Sequence, residues 1–88
     1  MFALYVLHSS RLDRYYVGHT DDLEDRLARH NQGRSKSTKH GAPWEIVHTE
    51  DFETRSQAMA REREVKSWKS AARIRSLVEG IPHGGTGG

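Results

Sequence analysis

The chain has 88 residues, of which 34% are hydrophobic and 30% charged, and it contains no cysteine. That suffices for one domain with one small core, and it excludes disulfide staples and thiolate metal sites. The net charge of +2 excludes little by itself; the N-terminal apolar run FALYVL is too short to span a bilayer and has no basic leader, so a cytoplasmic protein without a membrane partner is expected.

Residues 2–8, FALYVLH, alternate as a strand does, with Phe2, Leu4 and Val6 on one side and Ala3, Tyr5 and Leu7 on the other. SSRLD is turn material, and RYYVGH reads as a second strand, near enough in sequence to form an antiparallel hairpin. A helix is predicted to start at Thr20 or Asp21, where Asp21 and Glu24 have capping-box spacing and the acidic run favours the positive end of the helix dipole. Leu23 and Leu27 form its apolar stripe and Gly33 stops it. After the polar loop RSKSTKHGA, the run PWEIVHTEDF reads as a third strand with Trp44, Ile46 and His48 on one face.

Thr54 and Gln57 form another capping box and open a second helix, which runs to about Trp68. A third helix is capped by Ser70 and ended by Gly80, with Ile74, Leu77 and Val78 on its apolar side. The glycine-rich end has no periodicity. The expectation is an α+β fold, a small three-stranded antiparallel sheet covered by helices in the order β-β-α-β-α-α. It forms a single domain over residues 1–79, with a disordered tail over 80–88.

Charge is unevenly spread. From Arg26 to Trp44 there is no acidic residue, while Arg26, Arg29, Arg34, Lys36 and Lys39 all lie there with His30 and His40. Such a one-sign stretch suits a polyanion, although a solvated loop has the same look. Several polar groups also stand where they are costly. At ~100° per residue, Glu62 falls between Ala58 and Val65 on one side and Met59 on the other, in the sector that should face the sheet. A carboxylate there is either ion-paired or holds a cation. Arg26 and His30 share a helix face at the edge of the leucine stripe. Tyr5 and Tyr16 lie on neighbouring strands, and each phenol needs a partner if buried. Gly18 permits a close approach by backbone or ligand. Each residue alone has a plain structural reading in packing, pairing or solvation. As a set, two phenols, a guanidinium, an imidazole and one carboxylate suit phosphodiester cleavage. The histidines lack H-E-x-x-H spacing, and no Gly-rich loop follows a strand to cradle a nucleotide.

At this point the sequence resembles the GIY-YIG nuclease superfamily. ALY at Ala3-Leu4-Tyr5 and YVG at Tyr16-Val17-Gly18 stand for its two strand motifs. GHTDDLEDRLARHNQG is similar to the following block with its helix arginine and histidine, and TRSQAMAREREVKSW to the helix carrying the metal-binding glutamate. The likeness extends over about residues 2–78 and is nearest the small stand-alone bacterial members; larger relatives use the module in DNA repair, resolution of branched DNA, intron homing and restriction. The resemblance implies a metal-dependent DNA endonuclease. In it Glu62 is the sole protein ligand of one Mg²⁺ or Mn²⁺. Tyr5 orients or deprotonates the attacking water, and His30 accepts a proton from Tyr5. Arg26 holds the scissile phosphate, Tyr16 helps to position the nucleophile or the phosphate, and Gly18 leaves room for the substrate. Further substrate contacts are expected from Arg29, Arg34, Lys36, Lys39 and Lys66.

Two departures stand out: Ala3 replaces the motif glycine, and the asparagine that many members carry after the glutamate helix has no counterpart, since Asn31 is the only asparagine. The second departure motivates an alternative, a weak or inactive nucleic-acid-binding module of the same fold; a protein-interaction scaffold is the third reading. A lone catalytic domain has little surface for base edges, so structure- or single-strand-directed action on DNA is expected, with Tyr15 and Trp44 as candidate base stackers and a protein partner as a source of specificity.

Overall fold

The structure is a computed structural model that describes residues 1–36 and 38–80. The elements are β1 (Phe2–Ser9), β2 (Arg14–Thr20), α1 (Leu23–Asn31), β3 (Trp44–Phe52), α2 (Arg55–Ser67) and α3 (Ala71–Glu79), in the expected order β-β-α-β-α-α. The strands form one antiparallel sheet in the order β2-β1-β3. β1 is central, so both its faces are covered, and its unbroken apolar run follows from that position: Leu4 and Val6 are buried on one face, Tyr5 and Leu7 on the other.

On the first face Leu4, Val6 and Val17 pack with Val65 of α2 and with Trp68, Ile74, Leu77 and Val78. On the second face Tyr5, Leu7 and Trp44 pack with Tyr16 and with Leu23 and Leu27 of α1. Helices thus cover both faces, with α2 and α3 on one and α1 on the other. Among the described residues no helix is long and apolar enough to cross a membrane.

Three local expectations are corrected. The cap of α1 is Asp22, whose side chain accepts from Asp25 N at 3.0 Å, while Thr20 Oγ1 accepts from Asp22 N at 3.1 Å. A threonine that turns the chain out of β2 moves the cap one residue past Asp21. In β3, Val6 faces His48 but Leu7 faces Ile46, so Val47 is an extra residue in the ladder. This bulge puts Trp44 and Ile46 on the Leu7 face and His48 on the opposite one. In α2, Ala58 and Val65 are fully buried whereas Met59 is 41% exposed. The helix is therefore rotated so that Glu62 lies at the rim of its buried face rather than in the middle.

The caps of the later helices form as expected, with Thr54 and Gln57 closing both halves of a capping box. Ser70 caps α3 and Gly80 ends it in the left-handed region, at φ 74°. Beyond Gly80, the expected disordered tail lies outside the described residues.

Candidate active site

Tyr5 pairs with Gly18 across the β1–β2 ladder, and its ring lies over that glycine. A Cβ at Gly18 would stand 2.6 Å from Tyr5 Oη and 2.7 Å from Cζ. Gly18 makes room for the phenol itself. Because β2 is an edge strand, crossing it brings the Tyr5 hydroxyl to the sheet's rim.

Three groups on the α1 side gather around that hydroxyl. His30, 2% exposed at the end of α1, places Nε2 3.1 Å from Tyr5 Oη. The Arg26 guanidinium, one helical turn earlier, lies near enough for its charge to act on the same phenol. The Tyr16 ring lies 4.8 Å from the His30 ring and 6.3 Å from the Tyr5 ring, centroid to centroid. The i,i+4 spacing of Arg26 and His30 thus aims both side chains at one point, and neither is an ordinary surface group. Arg26 Nε is buried with no hydrogen-bond partner. An orphaned guanidinium N–H is costly unless an anion completes it.

Glu62 approaches from the other face. Its carboxylate accepts from His19 Nδ1 at 2.6 Å and from Lys66 Nζ at 2.6 Å. His19 follows Gly18 in β2 and points to the α2 face, alternate to Tyr16 and Gly18. Lys66 bridges the layers, its ammonium lying 5.9 Å from the Tyr16 ring centroid. Glu62, His19, Lys66, Arg63 and Met59 line a cleft of about 250 Å³. The acid and the phenols thus come from opposite layers and converge on the β2 edge, near enough for the Glu62 charge to act on Tyr5.

These surroundings set the proton affinities. Burial, then the neighbouring Tyr16, pushes the Tyr5 phenol up, and Arg26 only partly opposes them, so Tyr5 is protonated at neutral pH. Burial, then the Arg26 charge, pushes His30 down, so its ring is neutral and able to accept a proton. Burial alone would raise Glu62, but the hydrogen bonds from Lys66 and His19 outweigh it and hold the carboxyl below its ordinary value.

Sequence reasoning missed two residues. His19 continues the Tyr15–Val17 face of β2, where a polar ring needs a partner, and that was the available signal. Thr38, 1% exposed in the loop after α1, holds His30 Nδ1 at 2.6 Å; an irregular loop offers no periodicity from which to find it.

Residues 1–75 match the GIY-YIG catalytic domain. The chain belongs to that family. It is 40% identical over 77 residues to a UPF0213 protein of Natronomonas pharaonis, covering 86% of this chain and 89% of that protein. A UPF0213 protein of Staphylococcus saprophyticus is 36% identical over 66 residues, 74% of this chain and 80% of that one. The solution NMR structure of the UPF0213 protein BH0048 from Bacillus halodurans is similar with a TM-score of 0.57 and 31% identity, over 98% of this chain and 89% of that chain. The α+β architecture and the nuclease-type catalytic domain are therefore those of a small GIY-YIG protein.

Among GIY-YIG features, the asparagine is not replaced by Asn31. Its amide accepts from the Trp44 backbone N–H and donates to the Trp44 carbonyl at 3.1 Å, clamping the start of β3. Trp44 is 4% exposed and donates Nε1 to Thr38 O at 2.8 Å, so no base can stack on it. Tyr15 is half-buried against His8, with ring centroids 5.0 Å apart. Among the basic residues, Arg29 pairs with Asp25 at 3.0 Å and Arg34 donates to Gln32 at 3.1 Å, while Lys36 and Lys39 stand exposed on the loop. Among the described residues no group of three or more His, Asp or Glu side chains forms a metal cluster. Glu62 still fits a divalent ion, because Mg²⁺ and Mn²⁺ are commonly held by a single ionised carboxylate completed by phosphate and water.

Proposed function

We propose that the protein is a divalent-metal-dependent DNA endonuclease, directed by structure or single-strandedness rather than by sequence. The observation that carries this reading is the meeting, at one sheet edge, of Tyr5, Tyr16, His30 and a half-orphaned Arg26 with an ionised Glu62. Arg26 binds the scissile phosphate and offsets charge as it builds on phosphorus. Tyr5 aligns the attacking water. As the water oxygen bonds to phosphorus, its proton passes to Tyr5 Oη and the phenol's own proton passes to His30 Nε2. The raised phenol and lowered imidazole make this a transfer in step with attack, without a standing phenolate. The P–O bond to the leaving group breaks, and that oxygen takes its proton from solvent. Tyr16 packs against the His30 ring and presents its phenol beside the phosphate. Glu62 would hold Mg²⁺ or Mn²⁺, which would supply polarisation of a phosphate oxygen and support for the leaving group. Lys66, Arg29, Arg34, Lys36 and Lys39 supply the sequence-independent grip on the backbone.

The second reading, a nucleic-acid-binding module without catalysis, is favoured by one observation: both Glu62 oxygens are already taken, by His19 and Lys66. One experiment separates the two. Pure protein is incubated with matched single-stranded, duplex and branched DNA, with and without Mn²⁺, beside Glu62→Ala. Metal-dependent nicking by wild type that vanishes in the folded variant is expected. Undiminished cleavage by Glu62→Ala would sink the assignment of the metal ligand. Binding without any product would leave the second reading standing.

A further inference from the structure

We propose that Lys66 is the resident counter-ion of Glu62, an ammonium that stands on the carboxylate where a divalent ion would bind and has to yield for that ion to be held. This role rests on the reading of Glu62 as a metal ligand and deepens it, but it can be judged without any cleavage of DNA.

The Glu62 carboxyl is held below its ordinary value, so at neutral pH it is ionised and only accepts hydrogen bonds. Lys66 Nζ donates to Oε2 at 2.6 Å and His19 Nδ1 donates to Oε1 at 2.6 Å. The two donors respond differently to an arriving cation. His19 is fixed on β2, and its bond to Oε1 can persist while Oε2 changes partner. Lys66 carries its charge at the end of a flexible stem, and half of its side chain is exposed, so water can take the ammonium back. Two cations on one carboxylate oxygen repel each other, and Lys66 is the one free to leave.

The place of the ammonium matters as much as its charge. It lies 5.9 Å from the Tyr16 ring centroid, on the side of Glu62 that looks toward the phenols. An ion joining Glu62 to a phosphate beside those phenols needs that same side. The Glu62 side chain is 19% exposed, whereas Asp25, in the i,i+4 pair with Arg29, is 50% exposed. Charge therefore counts for more at Glu62 than in an ordinary surface pair. Lys66 keeps this half-buried carboxylate neutralised when no divalent ion is bound, at the cost of weaker metal binding. Once displaced, the same ammonium is available to a strand phosphate.

The test is Mn²⁺ binding to the full-length protein, by calorimetry at low ionic strength without nucleic acid. Lys66→Met keeps the stem and removes the charge. Lys69→Met removes a charge from an exposed lysine that lines a separate cleft. Lys66→Met is expected to bind Mn²⁺ about 5–10-fold more tightly than wild type, and Lys69→Met to stay within about 2-fold of it. In a Mg²⁺ titration of wild type, the Lys66 ¹³Cε signal should move in step with Glu62 ¹³Cδ and saturate with it. Unchanged or weaker binding by Lys66→Met, an equal gain in Lys69→Met, or a Lys66 signal indifferent to Mg²⁺ overturns the proposal. So does an absence of Mn²⁺ binding by every variant, since Glu62 then holds no ion. Should Lys66→Met fail to fold, Lys66→Gln and the Mg²⁺ titration decide. Tighter binding by Lys66→Met with no nicking of DNA by wild type would fail the endonuclease reading and leave the counter-ion role standing.

Discussion

Replacing Gly18 with alanine tests whether the Tyr5 hydroxyl must stand where the fold puts it. The backbone imposes no penalty of its own, because the glycines with positive φ among the described residues are Gly33 and Gly80. The added Cβ meets Tyr5 at 2.6 Å from Oη, 2.7 Å from Cζ and 3.1 Å from Cε2. Carbon atoms pack at about 3.5–4.0 Å, so the ring must retreat by about 1 Å. Tyr5 is only 2% exposed and its far side is occupied by the α1 layer, so the retreat strains a packed core. Overpacking of this kind costs about 1–3 kcal/mol, and stretching the 3.1 Å bond to His30 adds about 1 kcal/mol. A displacement of that size at a reacting group costs on the order of 10²-fold in rate. Urea denaturation of Gly18→Ala should therefore show a loss of about 2–4 kcal/mol. Single-turnover nicking by the folded variant should fall about 100-fold, with DNA binding little changed. Wild-type stability together with wild-type turnover would refute the claim that Gly18 exists to seat Tyr5.

Lys36→Ala and Lys39→Ala should each weaken DNA binding alike on all sequences and reduce the slope of log K against log salt by roughly 0.7–0.9, measured by fluorescence anisotropy across a salt series. Asn31→Ala should cost about 1–3 kcal/mol in urea melts, because it leaves the Trp44 backbone N–H and carbonyl without their clamp, while turnover per folded molecule is retained. Stability should fall with acid in two stages. His30 is depressed in the fold, so the unfolded chain binds the extra proton and stability declines as pH drops below the unfolded histidine value of 6.5. Burial would raise Glu50, but hydrogen bonds from Arg61 and His48 outweigh it, so its contribution is present above 4.5 and lost as pH falls through the lower folded value. Thermal melts against pH should lose the upper stage in His30→Gln and flatten in the lower stage in Glu50→Gln.

The fold was legible where one chemical signal acted alone. Thr54 with Gln57, Ser70 and Gly80 announced their helix ends, because those features answer to local backbone needs, and a short apolar run announced β1. Val47 was not legible. An extra residue in a ladder leaves both neighbouring stretches looking regular, and only the pairing with β1 reveals the slip. Met59 misled the placement of Glu62, since an apolar side chain was counted as buried when the helix turns it outward. For the candidate site, Tyr5, Tyr16, Arg26, His30 and Glu62 could be singled out from residue type and spacing as a proposal. Their distribution over two layers could not be read, because it depends on which strand is the edge. His19 and Thr38 escaped notice for a related reason: each acts on a partner distant in sequence, at separations of 43 and 8 residues respectively.

A consequence follows from the acid and the tyrosines riding on opposite sides of the sheet. If α2 swings away, the hairpin keeps its phenols and forfeits the carboxylate that completes them. On the proposed mechanism, cleavage then requires the finished assembly, and a half-folded copy of this chain would lack the carboxylate it needs.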